Sequence, residues 1–147
     1  MAVILVVTCA LLLVAVFWIR RRRAQRQLEE HSITPDALHS LLSSNREVLV
    51  YDVRLPLDVL AESEIIPGAN RVSPKEIIAN PAIIPSEKDA VVYCTCPSEE
   101  TSREILQRAL ALGFSRVKFL KGGLAGWKAK GFPVEPYTQT FHLDTGV

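Results

Sequence analysis

Apolar residues in this chain first form one long run and later form short runs that alternate with helical patterns. Residues 1–19 carry no charge, and four consecutive arginines occupy positions 20–23. At about 1.5 Å per residue, a helix of that length just crosses a hydrocarbon core of roughly 30 Å. A cleavable signal peptide would carry its positive charge before the apolar run. We therefore predict a single uncleaved transmembrane helix over residues 1–19.

The arginines also predict how this helix is oriented. Positive residues beside a membrane-spanning helix are retained on the cytoplasmic side. We expect the membrane as a partner through residues 1–19, a basic juxtamembrane stalk over residues 20–31, and a single-pass protein whose C-terminal domain is cytoplasmic. After Arg23, 13 basic and 16 acidic residues leave a net charge of −3 without a basic stripe. No nucleic-acid partner is expected from this charge pattern.

Beyond residue 31, short buried strands alternate with amphipathic helices. The predicted strands cover residues 48–53, 71–72, 90–93 and 116–120. The predicted helices begin at Thr34, Ser73, Thr101 and near Gly123. Near-continuous apolar strands separated by helices are typical of a parallel sheet that is covered on both faces. We therefore predict an α/β domain over residues 32–136, followed by a polar tail over residues 137–147.

Two of these helices carry recognisable start signals. Thr34 is a suitable N-cap residue, and Pro35 suits the first turn that follows it. Thr101 and Glu104 have the spacing of a capping box, which predicts a helix that begins at about Thr101. Gly113 is expected to end that helix.

Cys94 is the candidate nucleophile. It directly follows the strand predicted over residues 90–93 and precedes the helix predicted from Thr101. At such a junction, backbone N–H groups and the helix dipole favour a thiolate over a thiol. Three cysteines, one of them in the apolar run, do not form a disulfide framework. The alternative interpretation is a small buried cysteine that ends a strand.

Several short motifs, in their order and spacing, resemble the single-domain rhodaneses, a family of sulfurtransferases. The matching motifs are Ile33-Thr34-Pro35, Asp52-Val53-Arg54, Ile66-Pro67-Gly68-Ala69-Asn70, Val92-Tyr93-Cys94 and Gly122-Gly123 with Trp127. The resemblance implies a five-stranded, mainly parallel sheet flanked by helices. In this chain the domain would be preceded by the single transmembrane helix.

The same resemblance implies a function for Cys94. A sulfur donor would leave a persulfide on Cys94, and a thiol or protein acceptor would remove that sulfur, without a cofactor. A loop would surround the persulfide, and three further residues would support it. The loop consists of Thr95, Cys96, Pro97, Ser98 and Glu99, and the supporting residues are Asp52, Arg54 and Arg103.

The loop also departs from the family pattern. Between Cys94 and Ser102 there is neither a glycine nor an arginine, and Glu99 and Glu100 add two carboxylates. Two acidic groups there would disfavour an incoming dianion, which argues against thiosulfate as the donor. The missing arginine also argues against the phosphatase branch of this fold.

Two alternative functions remain open. The altered loop is compatible with a non-catalytic rhodanese-like binding module, since one fold carries many functions. Cys96 lies two residues from Cys94, so a redox thiol protein that uses both cysteines is the other alternative. The three histidines have no ligand spacing with these cysteines, so no metal site is predicted.

Overall fold

A computed structural model describes residues 2–44, 46–95 and 100–139 of this chain. The chain divides into two compact units, Met1–His31 and Ser32–Val147. The first unit consists of one long helix, and the second contains all the strands that the structure describes.

Helix α1 of the first unit extends over Ala2–Glu30, so the predicted stalk continues the same helix. Among the described residues, no helix is long and apolar enough to span a membrane. The predicted transmembrane helix over residues 1–19 is therefore not supported.

The second unit alternates strands and helices along the chain. Its strands are β1 (Ser32–Ile33), β2 (Val48–Asp52), β3 (Glu64–Ile65), β4 (Asn70–Arg71), β5 (Asp89–Tyr93), β6 (Val117–Leu120) and β7 (Glu135–Pro136). Its α-helices are α2 (Pro35–Ser43), α3 (Pro56–Ala61), α4 (Pro74–Ala79), α5 (Glu100–Ala111) and α6 (Gly123–Ala129), and a 3₁₀ helix covers Pro81–Ile83.

Five of the strands form one sheet in the order β1-β6-β5-β2-β4. Every neighbouring pair in this sheet is parallel, which confirms the predicted five-stranded α/β sheet flanked by helices. β5 is the central strand, and its register pairs Tyr93 with Asp52 and Val92 with Phe119. Strands β3 and β7 form a separate antiparallel pair that was not predicted. With two residues each, these strands are too short to show a periodic pattern.

The core lies between the sheet and the helices. Its buried residues include Val50 and Val91 of the sheet together with Leu38, Leu124 and Trp127 of the helices. Parallel strands covered on both faces need such apolar residues at nearly every position. This packing holds the carboxyl ends of β2, β5 and β6 at one edge of the sheet.

The helix starts agree with the sequence signals to within one residue. Thr34 caps α2, because its Oγ1 accepts a hydrogen bond from the backbone N–H of Ala37 at 3.3 Å. The predicted start near Thr101 agrees to within one residue, since α5 begins at Glu100. A capping-box spacing is a short local signal, and boundaries read from such signals commonly shift by one or two residues.

Candidate functional site

Cys94 follows the last residue of the central strand. Its neighbour Tyr93 pairs with Asp52 of β2, and the backbone N–H of Val53 donates to the carbonyl of Tyr93 at 3.0 Å. Cys94 is only 1% exposed and is a free cysteine. Because β5 is central, the thiol lies where the carboxyl ends of three parallel strands meet, which is where open α/β sheets place their ligand sites.

The backbone of Cys94 is held by the start of α6. The N–H of Leu124 donates to the carbonyl oxygen of Cys94 at 3.2 Å. Gly123 has a φ of +54°, and a Cβ built there would lie 1.9 Å from that same oxygen. A side chain at this position is excluded both by the left-handed backbone conformation and by the close contact. The Gly122-Gly123 pair therefore lets the chain approach Cys94 closely enough for this hydrogen bond.

Asp52 and Arg54 form a buried ion pair beside Tyr93, the residue before Cys94. Both side chains are fully buried, and Nη2 of Arg54 lies 2.6 Å from Oδ2 of Asp52. Nε of Arg54 donates to both carboxylate oxygens at 2.9 Å, and the backbone N–H of Arg54 donates to Oδ1 at 3.0 Å. Asp52 thus accepts from both the side chain and the backbone of Arg54, which fixes the turn after β2.

The remaining donors of Arg54 reach the segment after α3. Nη1 donates to the carbonyl of Glu62 at 2.8 Å, and Nη2 donates to the carbonyl of Glu64 at 2.9 Å. Burial opposes the charge on Arg54, but the hydrogen bonds and the charge of Asp52 outweigh it and raise the pKa of Arg54. Since its guanidinium is buried and already paired, Arg54 holds two chain segments together and does not present a charge to an incoming substrate.

Tyr93 connects this ion pair to the core. Its ring lies 6.0 Å from the guanidinium carbon of Arg54, and its hydroxyl accepts from the N–H of Ile66 at 3.3 Å. Burial, followed by the negative charge of Asp52, raises the pKa of the Tyr93 phenol. Tyr93 is therefore a neutral, buried group directly before the candidate nucleophile.

Arg103 is part of α5. It is exposed on α5, and its guanidinium carbon lies 5.7 Å from the ring centroid of Phe119. Of the three predicted supporting residues, the structure joins Asp52 and Arg54 in one pair and places Arg103 on a helix surface. A cation over an aromatic ring at an exposed position contributes about 0.5–1 kcal/mol.

The predicted loop is described only at its first residue. Cys96, Pro97, Ser98 and Glu99 lie outside the described residues, so the structure places Thr95 alone among them. Oγ1 of Thr95 is buried and has no hydrogen-bond partner in the described part of the chain.

Ser102 was not predicted as a site residue. It is 1% exposed on the first turn of α5, and its Oγ likewise has no partner among the described residues. The 3.6-residue period places Ser102 on the apolar face of α5, but a periodic pattern does not reveal that a buried hydroxyl is unpaired.

The described residues offer no alternative metal centre, since they contain no group of three or more His, Cys, Asp or Glu side chains arranged to hold a metal. A surface cavity of about 490 Å³ lies between α5 and the segment that includes Ala79 and Pro81, and Cys94 does not line it. Its lining includes Pro81, Glu104, Gln107 and Arg108.

Comparison with known families agrees with this geometry. The family described as "Rhodanese-like domain" matches residues 34–130, well over half of the chain. The chain therefore belongs to the rhodanese-like family, whose α/β fold it shares.

Two curated relatives carry sulfurtransferase names. A "Sulfurtransferase" of Allochromatium vinosum is 28% identical over 104 residues, which cover 71% of this chain and 94% of that protein. The "Probable adenylyltransferase/sulfurtransferase MoeZ" of Mycobacterium tuberculosis is 33% identical over 99 residues, which cover 65% of this chain and 24% of that protein. This chain thus spans about a quarter of the second relative.

Solved structures agree on the fold. A full-length protein from Lactobacillus plantarum superposes with a TM-score of 0.67 at 22% identity, covering 80% of this chain and 97% of that one. The rhodanese-like domain of an Anabaena protein superposes with a TM-score of 0.61 at 25% identity, covering 80% and 90% of the two chains.

Proposed function

We propose that this protein is a sulfurtransferase that carries a persulfide on Cys94 and passes its outer sulfur to a thiol or protein acceptor. The observation that carries this proposal is the position of Cys94, which follows the central strand of a rhodanese-like sheet and precedes α5. A sulfurtransferase name on a relative that matches over nearly its whole length supports the same chemistry.

The proposed transfer takes place in two steps, each of which balances. In the first step, the Cys94 thiolate attacks the outer sulfur of a donor R–S–SH. The new sulfur–sulfur bond forms as the donor bond breaks, which gives Cys94–S–SH and R–S⁻. In the second step, an acceptor thiolate attacks the outer sulfur, becomes a persulfide itself and releases the Cys94 thiolate. The two steps share one covalent intermediate and need no added oxidant.

The surrounding residues support an ordered site for this intermediate. The hydrogen bond from Leu124 and the close approach of Gly123 hold the carbonyl of Cys94. The Asp52–Arg54 pair fixes the neighbouring turn. Catalytic groups need positions held to a fraction of an ångström, and packing against rigid elements supplies that precision.

The cellular location of this chemistry stays a prediction from the sequence. According to this prediction, the apolar residues 1–19 and the arginines that follow keep the domain at the cytoplasmic face of a membrane. Fractionation of cells that express the full chain tests this prediction. Recovery in the membrane fraction after a carbonate wash, followed by release with detergent, is the expected result. Recovery in the soluble fraction would contradict it.

The proposed transfer is tested by intact-mass measurement of the full chain. The protein is incubated with glutathione persulfide or thiosulfate and then with an excess of a small thiol. We expect a gain of one sulfur atom that is absent in Cys94→Ser, present in Cys96→Ser and removed by the thiol.

Two other outcomes would favour the alternatives. A loss of two hydrogens that requires both Cys94 and Cys96 would indicate the redox thiol protein. A folded protein that gains no sulfur from either donor would contradict the transferase and favour the binding module.

A further inference from the structure

Three leucines on and directly before helix α3 are exposed to solvent, and together they form what we call the leucine patch. Leu55 is 50% exposed, Leu57 is 71% exposed and Leu60 is 57% exposed. In the described part of Ser32–Val147, Leu112 is the only other large apolar side chain with a comparable exposure. Single exposed apolar residues are ordinary, whereas a cluster of them is typical of a surface that another molecule covers.

The leucine patch lies close to the candidate nucleophile in the fold. Strand β2 is the parallel neighbour of β5, and the N–H of Val53 donates to the carbonyl of Tyr93, the residue before Cys94, at 3.0 Å. Leu55 follows Val53 by two residues, so their Cα atoms lie within about 8 Å of each other. The patch therefore begins at the sheet edge where Cys94 lies.

Helix α3 is fixed at both ends, so the leucine patch has a preformed shape. Directly before the patch, Nη1 of the buried Arg54 donates to the carbonyl of Glu62, the residue after the helix, at 2.8 Å. Nζ of Lys128 lies 2.6 Å from Oε1 of Glu62 and also pairs with Glu64. Val59, on the inner side of α3, is only 2% exposed and belongs to the core. A preformed surface binds a partner without the cost of ordering the segment that carries it.

The charged side chains on α3 and at its two ends leave a negative balance around the patch. Three carboxylates and two cations are joined there, namely Asp58, Glu62 and Glu64 against Lys128 and Arg71. Opposite charges on a partner guide its approach and fix its orientation. A molecule that suits this surface presents apolar side chains with basic residues at their edge. Glutathione, a small anionic thiol, has neither feature.

We propose that the leucine patch is the docking surface for a protein sulfur acceptor whose thiol is bordered by apolar and basic side chains. The centre of a protein interface is apolar and its rim is polar, which is the arrangement of the patch and the charges around it. This inference rests on the proposed function and gives its acceptor a defined surface chemistry.

The test uses the full chain and synthetic cysteine peptides as probes. The first peptide carries leucines beside its cysteine and a lysine at each end. The second has serines in place of the leucines, and the third has glutamates in place of the lysines. Labelled copies with serine in place of cysteine measure binding alone, by fluorescence anisotropy. The cysteine peptides measure the rate of sulfur removal from Cys94 that has been loaded with glutathione persulfide, by mass spectrometry.

Leu57→Ser and Leu60→Ser each remove part of the leucine patch without changing the core. Leu112→Ser is the matched control, because Leu112 directly follows α5 and is 59% exposed. We expect each patch variant to raise the Kd of the first peptide about ten-fold, since burial of one leucine has an effect of that order. The rate of sulfur removal at low peptide concentration should fall by the same factor.

The control should retain the affinity and rate of the wild type. The second and third peptides should bind the wild type more weakly than the first. The thermal midpoints of all three variants should stay close to that of the wild type, because each substitution is at an exposed position.

Several results would overturn the inference. Equal binding of the leucine and serine peptides would show that the patch does not select an apolar partner, and an equal loss of affinity in Leu112→Ser would show that the attraction is not specific to it. Self-association of the wild type that both patch variants abolish in sedimentation would assign the patch to a second copy of the chain. Much tighter peptide binding after truncation at Gln139 would assign it to residues 140–147.

Binding and transfer are measured separately, so failure of this inference is distinct from failure of the proposed function. If no donor loads Cys94 with sulfur, the proposed function fails, yet the serine copies of the peptides still test the patch. If Cys94 is loaded but the first peptide binds equally well to the wild type and both patch variants, the proposed function stands and the docking surface is refuted.

Discussion

Gly123 offers a sharp test of how the fold positions Cys94. In Gly123→Ala, the added methyl carbon would lie 1.9 Å from the carbonyl oxygen of Cys94, and ordinary contacts of this kind begin at 3.4 Å. The two segments would have to separate by about 1.5 Å, because packed groups resist such overlap. That movement would break the 3.2 Å hydrogen bond from the N–H of Leu124 and displace the thiol.

The energetic cost of Gly123→Ala has two parts. One part is shared by any glycine in the left-handed conformation, and the other comes from the contact with Cys94. An alanine in the left-handed conformation costs about 1–2 kcal/mol at any position. The lost hydrogen bond adds about 0.5–1.5 kcal/mol. The forced repacking adds a further 1–3 kcal/mol or so. We therefore expect Gly123→Ala to lower the free energy of unfolding by about 2–4 kcal/mol more than the same substitution at a glycine that lacks such a contact. This difference is a large part of a typical free energy of unfolding of about 5–15 kcal/mol.

Gly113 provides the matched control. Its φ is +84°, but a Cβ built there has no atom within 4 Å, so Gly113→Ala carries the conformational cost alone. Urea unfolding of the full chain measures both stabilities, and sulfur uptake by Cys94 measures the effect on the site. A displacement of about 1 Å can reduce a rate by up to 10²-fold, so we expect a large loss of rate in Gly123→Ala only. Equal losses of stability and rate in the two variants would refute this reasoning.

Two further predictions concern the buried polar groups beside Cys94. Arg54→Leu should lower the free energy of unfolding by about 3–5 kcal/mol in urea, because it leaves the Asp52 carboxylate buried and unpaired. Arg116→Leu, at an exposed ion pair, should lower it by less than about 1 kcal/mol, and equal losses would contradict the argument. Because burial raises the pKa of Tyr93 above its ordinary 10.0, the unfolded chain loses this proton first and the folded state loses stability as the pH rises above 10.0. When unfolding is measured between pH 8 and 11, the free energy of unfolding should fall less with rising pH in Tyr93→Phe than in the wild type or in Tyr137→Phe. An equal fall in Tyr93→Phe and the wild type would contradict the assignment of this pH dependence to the Tyr93 phenol.

The sequence by itself determined the class of fold and the position of the thiol. Continuous apolar runs such as residues 48–53 and 90–93 predict buried parallel strands, because their period and composition are local properties. Cys94 could be singled out for the same reason, since its place between a strand and a helix is a matter of neighbours along the chain. Thr34 likewise caps α2 as its local pattern predicts.

Local patterns were insufficient where the outcome depends on short or irregular elements. Strands β3 and β7 contain two residues each, and they pair only because the chain brings them together from 70 positions apart, as in the Ile65–Glu135 pair. The helix start expected at Thr101 differs by one residue for a similar reason, since a boundary depends on which backbone groups find partners. The apolar residues 1–19 predict a spanning helix, whereas no helix of the described residues is long and apolar enough to span a membrane.

Only the tertiary structure decided what surrounds Cys94. The resemblance implied only that Arg54 supports the site, and folding shows how it is placed, buried against Asp52 and two backbone carbonyls. Gly123 is 29 positions from Cys94, and its need to be glycine comes from a contact between two segments. Ser102 has a buried hydroxyl without a hydrogen-bond partner among the described residues, and this depends equally on what packs around it. Distances, burial and pairing arise between segments distant in sequence, so no periodic pattern along the chain records them.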